Sequence, residues 1–316
     1  MSIDIGIPRP YLEDEVKILL DGDVLVLNKD GTYQTNFIII LKELHEKIDK
    51  VLVDMCQPFA EKLLLSFNKN ENEIRSLGFI GSDYKWEKLL WTFIPLSMFL
   101  ACIKIQSDTL PEPPLLKTGI RGWANAKERK SSEWDTGVIN HTNLGNMLGY
   151  LSFSFRSFSK YTSGNLGPNE NELVLLKSLY DGEKGISDFN EKESEILATL
   201  IGQGFIKKEN QRCIPNFIGL DSQSMTSVLS LENNERSFVY DELNQMLVKI
   251  IKLFEGEVPK HLTEQIEVHA FMSLFDIISH VMRYFSDNGV LNIPHYDEIN
   301  TTTFFMYKDF SGFIPH

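Results

Sequence analysis

Residues 13–38, EDEVKILLDGDVLVLNKDGTYQTNFI, can be written over residues 193–218, ESEILATLIGQGFIKKENQRCIPNFI, at a constant offset of 180 without a gap. Seven of the 26 positions are identical: Glu13/Glu193, Glu15/Glu195, Leu20/Leu200, Gly22/Gly202, Asn36/Asn216, Phe37/Phe217 and Ile38/Ile218. Val16/Ile196, Leu25/Phe205 and Val26/Ile206 keep apolar character. Unrelated stretches of ordinary composition share roughly one or two positions in a fixed register. Each copy reads as an amphipathic helix, a glycine stop, and two strands around a polar turn. In the first copy Leu12, Val16, Leu19 and Leu20 make one apolar stripe, Pro10 suits the first helical turn, and Gly22 ends the helix. Strand-like residues 24–27 and 32–40 flank Asn28-Lys29-Asp30-Gly31, a strong turn signal. In the second copy residues 170–180 supply a preceding helix, 190–201 the repeated helix and 205–217 the hairpin.

A helix leaning on a two-stranded ribbon is the back half of a winged helix. The run IGIPRPYLEDEVKILLDGDVL (residues 5–25) with its hairpin resembles bacterial winged-helix transcription regulators of the MarR, PadR and ArsR type. The resemblance covers about 40 residues here and about 50 around the second copy. It implies a DNA-binding regulator, with Gly6 at the turn of a helix-turn-helix. Only nine residues precede Pro10, where two further helices are needed, so the first module is expected to be truncated.

Outside the repeat, residues 41–67 predict a long helix, with Ile48, Leu52, Phe59 and Leu63 on one stripe and Pro58 as a kink. In regulators of the type resembled, the helix after the wing often forms a dimer seam; burial against its own core is the alternative. Residues 85–105 predict an apolar helix, and Pro111, Pro113 and Pro114 a break. Residues 119–128, 149–158 and 301–307 read as strands, the last able to pair with the others. Residues 235–254 and 261–285 read as two long helices. The expected architecture is therefore α+β and mainly helical, with two winged-helix modules flanking a helical region that carries a small antiparallel sheet. Its segments are 1–40, 41–110, 111–165, 166–222 and 223–316, the third able to pair with 300–308.

A hydrophobic share of 42% and a charged share of 24% describe a folded globular chain, and 316 residues allow more than one core. Three widely spaced cysteines fit a reduced compartment better than a disulfide scaffold. No basic region followed by an apolar run opens the chain. Pro95 and Lys104 interrupt the most apolar stretch, so no membrane span and a cytoplasmic location are expected. A net charge of −13 does not favour nucleic acid, but the local face decides contact and not the sum.

The first repeat carries Lys17 and Lys29 against six carboxylates, a balance of −4, leaving Arg9 and Tyr11 to reach a groove. The second hairpin places Lys207, Lys208 and Arg212 around Glu209, a tip able to straddle phosphates. Arg9, Tyr11, Lys17, Lys29, Lys207, Lys208 and Arg212 are thus the candidate DNA contacts, unless the Lys-rich tip is an ordinary solvated turn. Protein contact through the same shape, an adaptor without DNA binding, is the alternative. Trp123, Trp134, Tyr150, Phe153 and Phe155 form an aromatic run beside Lys117, Arg121, Lys127, Arg129 and Lys130. That run is a candidate pocket for a small anionic effector, with a sheet core as the plainer reading. His261, His269 and His280 fall on one expected helix at spacings that cannot clamp a metal. No phosphate loop, nucleophile elbow or ligand cluster is present, and Asp135, His141 and the serines of residues 152–159 make no motif. A non-enzymatic protein without cofactor is expected, acting as a homo-oligomer.

Overall fold

The computed structural model describes residues 9–77, 79–80, 85–112, 126–128, 135–136, 140–143, 149–156, 169–180, 184–202, 205–215, 218–220, 222–291 and 302–307. The first copy of the repeat forms α1 (Arg9–Asp21), the hairpin β1 (Leu25–Leu27) and β2 (Tyr33–Thr35), and a short β3 (Ile39–Ile40). Helix α2 (Lys42–Lys69) then runs on through Pro58, followed by α3 (Glu71–Arg75), β4 (Phe79–Ile80) and the apolar α4 (Trp86–Thr109). Strands β5 (Ala126–Lys127), β6 (Asp135–Thr136), β7 (Asn140–Asn143) and β8 (Gly149–Arg156) come next. The second copy contains α5 (Glu170–Tyr180), β9 (Lys184–Gly185), α6 (Glu191–Gly202), β10 (Ile206–Glu209), β11 (Arg212–Pro215) and β12 (Ile218–Leu220). Helix α7 (Ser222–Phe254) is longer than the expected 235–254. The single helix expected over 261–285 is broken instead into a 3-10 segment (Lys260–Gln265), α8 (Ile266–Leu274) and α9 (Asp276–Asp287). Strand β13 (Thr302–Tyr307) pairs antiparallel with β8, from Thr302 opposite Ser154 to Tyr307 opposite Gly149.

The described chain is thus mainly helical with small sheets, an α+β protein. Two compact units divide it. One comprises Met1–Val51, Asp108–Lys130 and Gln245–Leu274; the other comprises Leu52–Ser107, Ser131–Asn244 and Phe275–His316. In the first, Glu128 fastens β5 to the start of α2: its N–H donates to Ile40 O and its carboxylate accepts from Lys42 N, both at 2.9 Å. Leu89–Thr109 of α4 is long and apolar enough to cross a membrane despite Pro95 and Lys104, and its apolar window is 72% buried, as in a core helix.

The repeat extends far beyond the 26 residues that announced it. Strand β3 pairs in parallel with β5, Ile39 opposite Ala126, and β12 pairs in parallel with β13, Gly219 opposite Met306. Both partners of the second pairing are those of the first displaced by 180. Helices α2 and α7 begin at Lys42 and Ser222, the same displacement. Buried Phe59, Leu63 and Ile74 correspond to buried Val239, Leu243 and Phe254, and Cys102 and Ile105 to Met282 and Phe285.

Within the repeated helix the ungapped register is one residue out. Val24 N donates to Leu19 O and Phe205 N to Leu200 O, the bond that closes a helix end, so helix and first strand match at 181. The offset returns to 180 in the second strand because the hairpins close differently. The first turns on Lys29, Asp30 and Gly31, with Gly31 at φ +81; the second turns on Asn210 and Gln211 alone, at φ 47 and 68. The left-handed residue that stops α1 is accordingly Asp23, at φ 58, and not Gly22.

The two halves also exchange segments. Strand β4 of the first half pairs antiparallel with β12 of the second, Ile80 opposite Gly219. In the other direction, side chains of the second half reach the first hairpin: Gln265 Nε2 donates to Asn36 O at 2.9 Å, and His261 Nε2 lies 3.2 Å from Thr35 O. Equivalent positions meet directly, Lys62 Nζ donating to Glu242 Oε1 at 3.1 Å. Tyr284 reaches Glu61 at 2.8 Å, while Lys104, the counterpart of Tyr284, lies over the Tyr240 ring.

A non-glycine residue held at positive φ costs about 1–2 kcal/mol. Asp23→Gly and Gln211→Gly are each expected to stabilise the chain by about 1 kcal/mol in urea denaturation, and Gln211→Val to destabilise it by at least as much.

Candidate nucleic-acid interface

Reciprocal caps start both helices of the second module. Asn169 N donates to Glu172 Oε2 and Glu172 N to Asn169 Oδ1, at 2.7 and 3.0 Å, and Asn190 and Glu193 repeat the pattern at 3.0 Å each. The Asn-x-x-Glu spacing was available in the sequence as a helix-start signal. Between the two helices, Gly185 N donates to Asp188 Oδ2, and β9 pairs with β11. Leu173, Leu176 and Leu179 of α5, Leu197 and Leu200 of α6, and Phe205, Ile206 and Cys213 of the hairpin close one core. Each fully buried leucine contributes about 1.5–3 kcal/mol, so the ribbon stands on a firm base.

The tip of that ribbon is fully exposed from Lys207 to Arg212. Lys208 pairs in register with buried Cys213, whereas Lys207 pairs with Ile214 and Glu209 with Arg212. Alternation along the strands puts Lys208 on one face of the ribbon and Lys207 with Arg212 on the other. Three cations against one carboxylate therefore border both faces of the tip. A fourth, Lys184, stands next to β11 in the sheet, its ammonium 5.4 Å from the Phe189 ring centroid. Sequence reading missed Lys184 because it lies in a connection whose pairing to Cys213 is not local. Next to the ribbon, α6 exposes Glu191, Lys192 and Glu195, an acidic surface where a base-reading helix needs donors.

The first module is electrostatically different. Its helix exposes Glu13, Asp14, Glu15, Lys17 and Asp21. Lys29 is exposed beside Asp30, whose carboxylate accepts from Thr32 N at 3.0 Å and Thr32 Oγ1 at 2.6 Å and is held below its ordinary range by those bonds. Lys17 and Lys29 lie in one compact unit and Lys207, Lys208 and Arg212 in the other. The side chains of Arg9 and Tyr11 lie outside the described residues.

Most of the aromatic effector cluster lies outside them too. Trp123, Trp134, Lys117, Arg121, Arg129 and Lys130 are not among the described residues, and of Tyr150, Phe153 and Phe155 only the backbone of β8 is described. Asp135 and His141 stand in β6 and β7, again as backbone alone. His261, His269 and His280 fall in three separate helical segments and not in one helix. Among the described residues no group of His, Cys, Asp or Glu has the geometry of a metal site. The three cysteines are buried and free; burial pushes Cys56 and Cys102 up to about 12 and raises Cys213 against the opposing pull of Lys208. Thiols so protonated are poor nucleophiles. No protein-family model, curated protein or solved structure matches the chain.

Among the described residues His269 is the one strongly perturbed imidazole. It is fully buried, its Nδ1 has no hydrogen-bond partner among the described residues, and burial pushes its pKa down to about 4. Its counterpart in the first half is the buried Leu89. The unfolded imidazole takes a proton near pH 6.5 and the folded one does not, so this contribution is complete above pH 6.5 and is lost as pH falls toward 4. Between about pH 7.5 and about pH 5 the cost is expected to be about 2 kcal/mol. His269→Leu should fold and remove that part of the pH dependence, as read from urea midpoints at the two pH values.

Proposed function

We propose that this chain is a DNA-binding regulator built on two winged-helix modules, in which the hairpin of the second module holds the phosphate backbone. The observation that carries the reading is the exposed tip, with Lys207, Lys208 and Arg212 bordering both faces of a ribbon anchored on a closed core. Cations placed on both faces of a narrow ribbon suit contact with phosphates on either side of a groove. Because α1 and α6 expose carboxylates, base reading is a minor part of this contact, and affinity comes mainly from counterion release. Buried, unpaired cysteines favour a reduced, cytoplasmic setting.

In regulators of this type a seam between two chains pairs the modules. Here Lys62 meets its own counterpart Glu242, so we take one polypeptide as the equivalent of that dimer. Light scattering is expected to return a mass near 36.3 kDa; a doubled mass would return the seam to two chains.

The full chain is expected to be retained by mixed genomic DNA at low salt. The triple substitution Lys207→Glu, Lys208→Glu, Arg212→Glu should abolish that retention, and single substitutions should flatten the salt dependence by about one phosphate contact each. Unchanged retention in the triple variant would remove the tip from the reading. If the unaltered chain shows no gel shift at low salt, the adaptor reading takes its place, favoured by the carboxylates exposed on α1 and α6.

A further inference from the structure

Strand β9 accompanies the second ribbon to its turn. Gly185 stands opposite Arg212, Lys184 stands opposite Cys213, and Ile186 N donates to Gln211 O at 2.9 Å. The basic tip is therefore the end of a three-stranded sheet in the order β10-β11-β9, and not a bare hairpin. Lys208 of β10 stands opposite the same Cys213 from the other side. Residues directly opposite one another share a face of the sheet, so Lys208 and Lys184 lie on one face and Lys207 and Arg212 on the other. Neighbouring strands run about 4.8 Å apart, which places the backbones of Lys208 and Lys184 about 10 Å apart on their shared face. The two lysines are held differently. Lys208 is exposed, whereas Lys184 is half-buried, with its ammonium 5.4 Å from the centroid of the Phe189 ring. Phe189 is itself buried in the core that Leu197, Leu200 and Cys213 close. The charge of Lys184 thus rests against a packed ring, and less side-chain freedom is left to lose when an anion binds. Among the described residues no carboxylate pairs with Lys184, Lys207 or Lys208, and Asp188 accepts from Gly185 N at 2.8 Å.

We propose that Lys184 is a further phosphate contact, on the Lys208 face of the sheet. The second module then holds a DNA duplex between two pairs of cations: Lys208 with Lys184 toward one backbone strand, and Lys207 with Arg212 toward the other. This rests on the DNA reading above and adds to it the contact that β9 contributes. When the end of the sheet lies along a groove, its two faces look toward opposite walls. The step of about 10 Å from β10 to β9 then runs along a single row of phosphates, so the two lysines meet different phosphates of one strand. A positive charge is what this position has to supply, and a guanidinium meets that need over an aromatic ring as well as an ammonium does.

The test measures how the affinity of the full chain for mixed genomic DNA falls with salt. Lys184→Gln is expected to reduce the slope of log affinity against log salt by about 0.9, the share of one phosphate contact, and Lys184→Arg to restore it. Lys184→Met, which keeps an unbranched stem beside Phe189 without the charge, should show the same loss as Lys184→Gln. Unchanged circular dichroism in both variants separates a lost contact from a disturbed core. Lys177→Gln, which removes the same charge from α5, should leave the slope as it was. A slope unaltered by Lys184→Gln and Lys184→Met, while the triple tip variant still loses retention, overturns the proposal and leaves the DNA reading standing. An equal loss in Lys177→Gln overturns it as well, because the effect would then be one of net charge. If the unaltered chain is not retained at low salt, the DNA reading fails and this contact fails with it.

Discussion

Apolar side chains recurring every three or four residues along α2 and α7 have to be covered, and part of the cover comes from the opposite half of the sequence. The Phe59 ring meets Phe238 edge-on at 6.0 Å, Lys62 lies over the same ring and donates to Glu242, and Tyr284 reaches back to Glu61. The apolar part dominates energetically. A buried Phe or Leu contributes about 1.5–3 kcal/mol, whereas a pair as open to water as Lys62 and Glu242 contributes well under about 1 kcal/mol. The polar contacts are better read as fixing register, because they specify which turn of one helix lies against which turn of the other.

That reciprocal arrangement explains why two modules of nearly the same build can differ so much at their surfaces. Helix spacing, the hairpin and the parallel pairing of β3 with β5 or β12 with β13 are shared, since they sustain the fold. Positions outside this frame have diverged. Val26 and Leu27, exposed on the first hairpin, stand where the second has Lys207 and Lys208. One ribbon therefore exposes cations where the other exposes apolar side chains. A duplicated scaffold permits this because a ribbon tip bears little of the burial that holds its own base in place.

Much of this was legible locally. The 3.6-residue stripes of α2 and α6 and the continuous apolar run of α4 appear in the residues themselves, as do the alternation of β8 and the Asn-Lys-Asp-Gly turn. The one-residue slip in the repeated helix was not legible. Identities at Glu13, Glu15 and Leu20 reward the ungapped register, whereas burial pairs Val16 with Leu197 and Leu19 with Leu200. Three residues turn one hairpin and two the other, and a left-handed Asp23, not the neighbouring glycine, closes the helix. The break between α8 and α9 was missed for a related reason: both flanks are apolar at helical spacing, so periodicity continues across Phe275 although the helix does not.

By itself the sequence determined the repeated grammar of helix, stop and ribbon, and the sign of charge at each tip, because these depend on residues within a few positions of one another. The tertiary structure alone decided which segments the halves lend to each other, how far the duplication reaches, and which core is closed. Those outcomes rest on contacts such as Lys62 to Glu242, Tyr284 to Glu61 and Gln265 to Asn36, separated by 180, 223 and 229 residues. Partners that distant leave no periodicity in the chain, and only burial in three dimensions selects them.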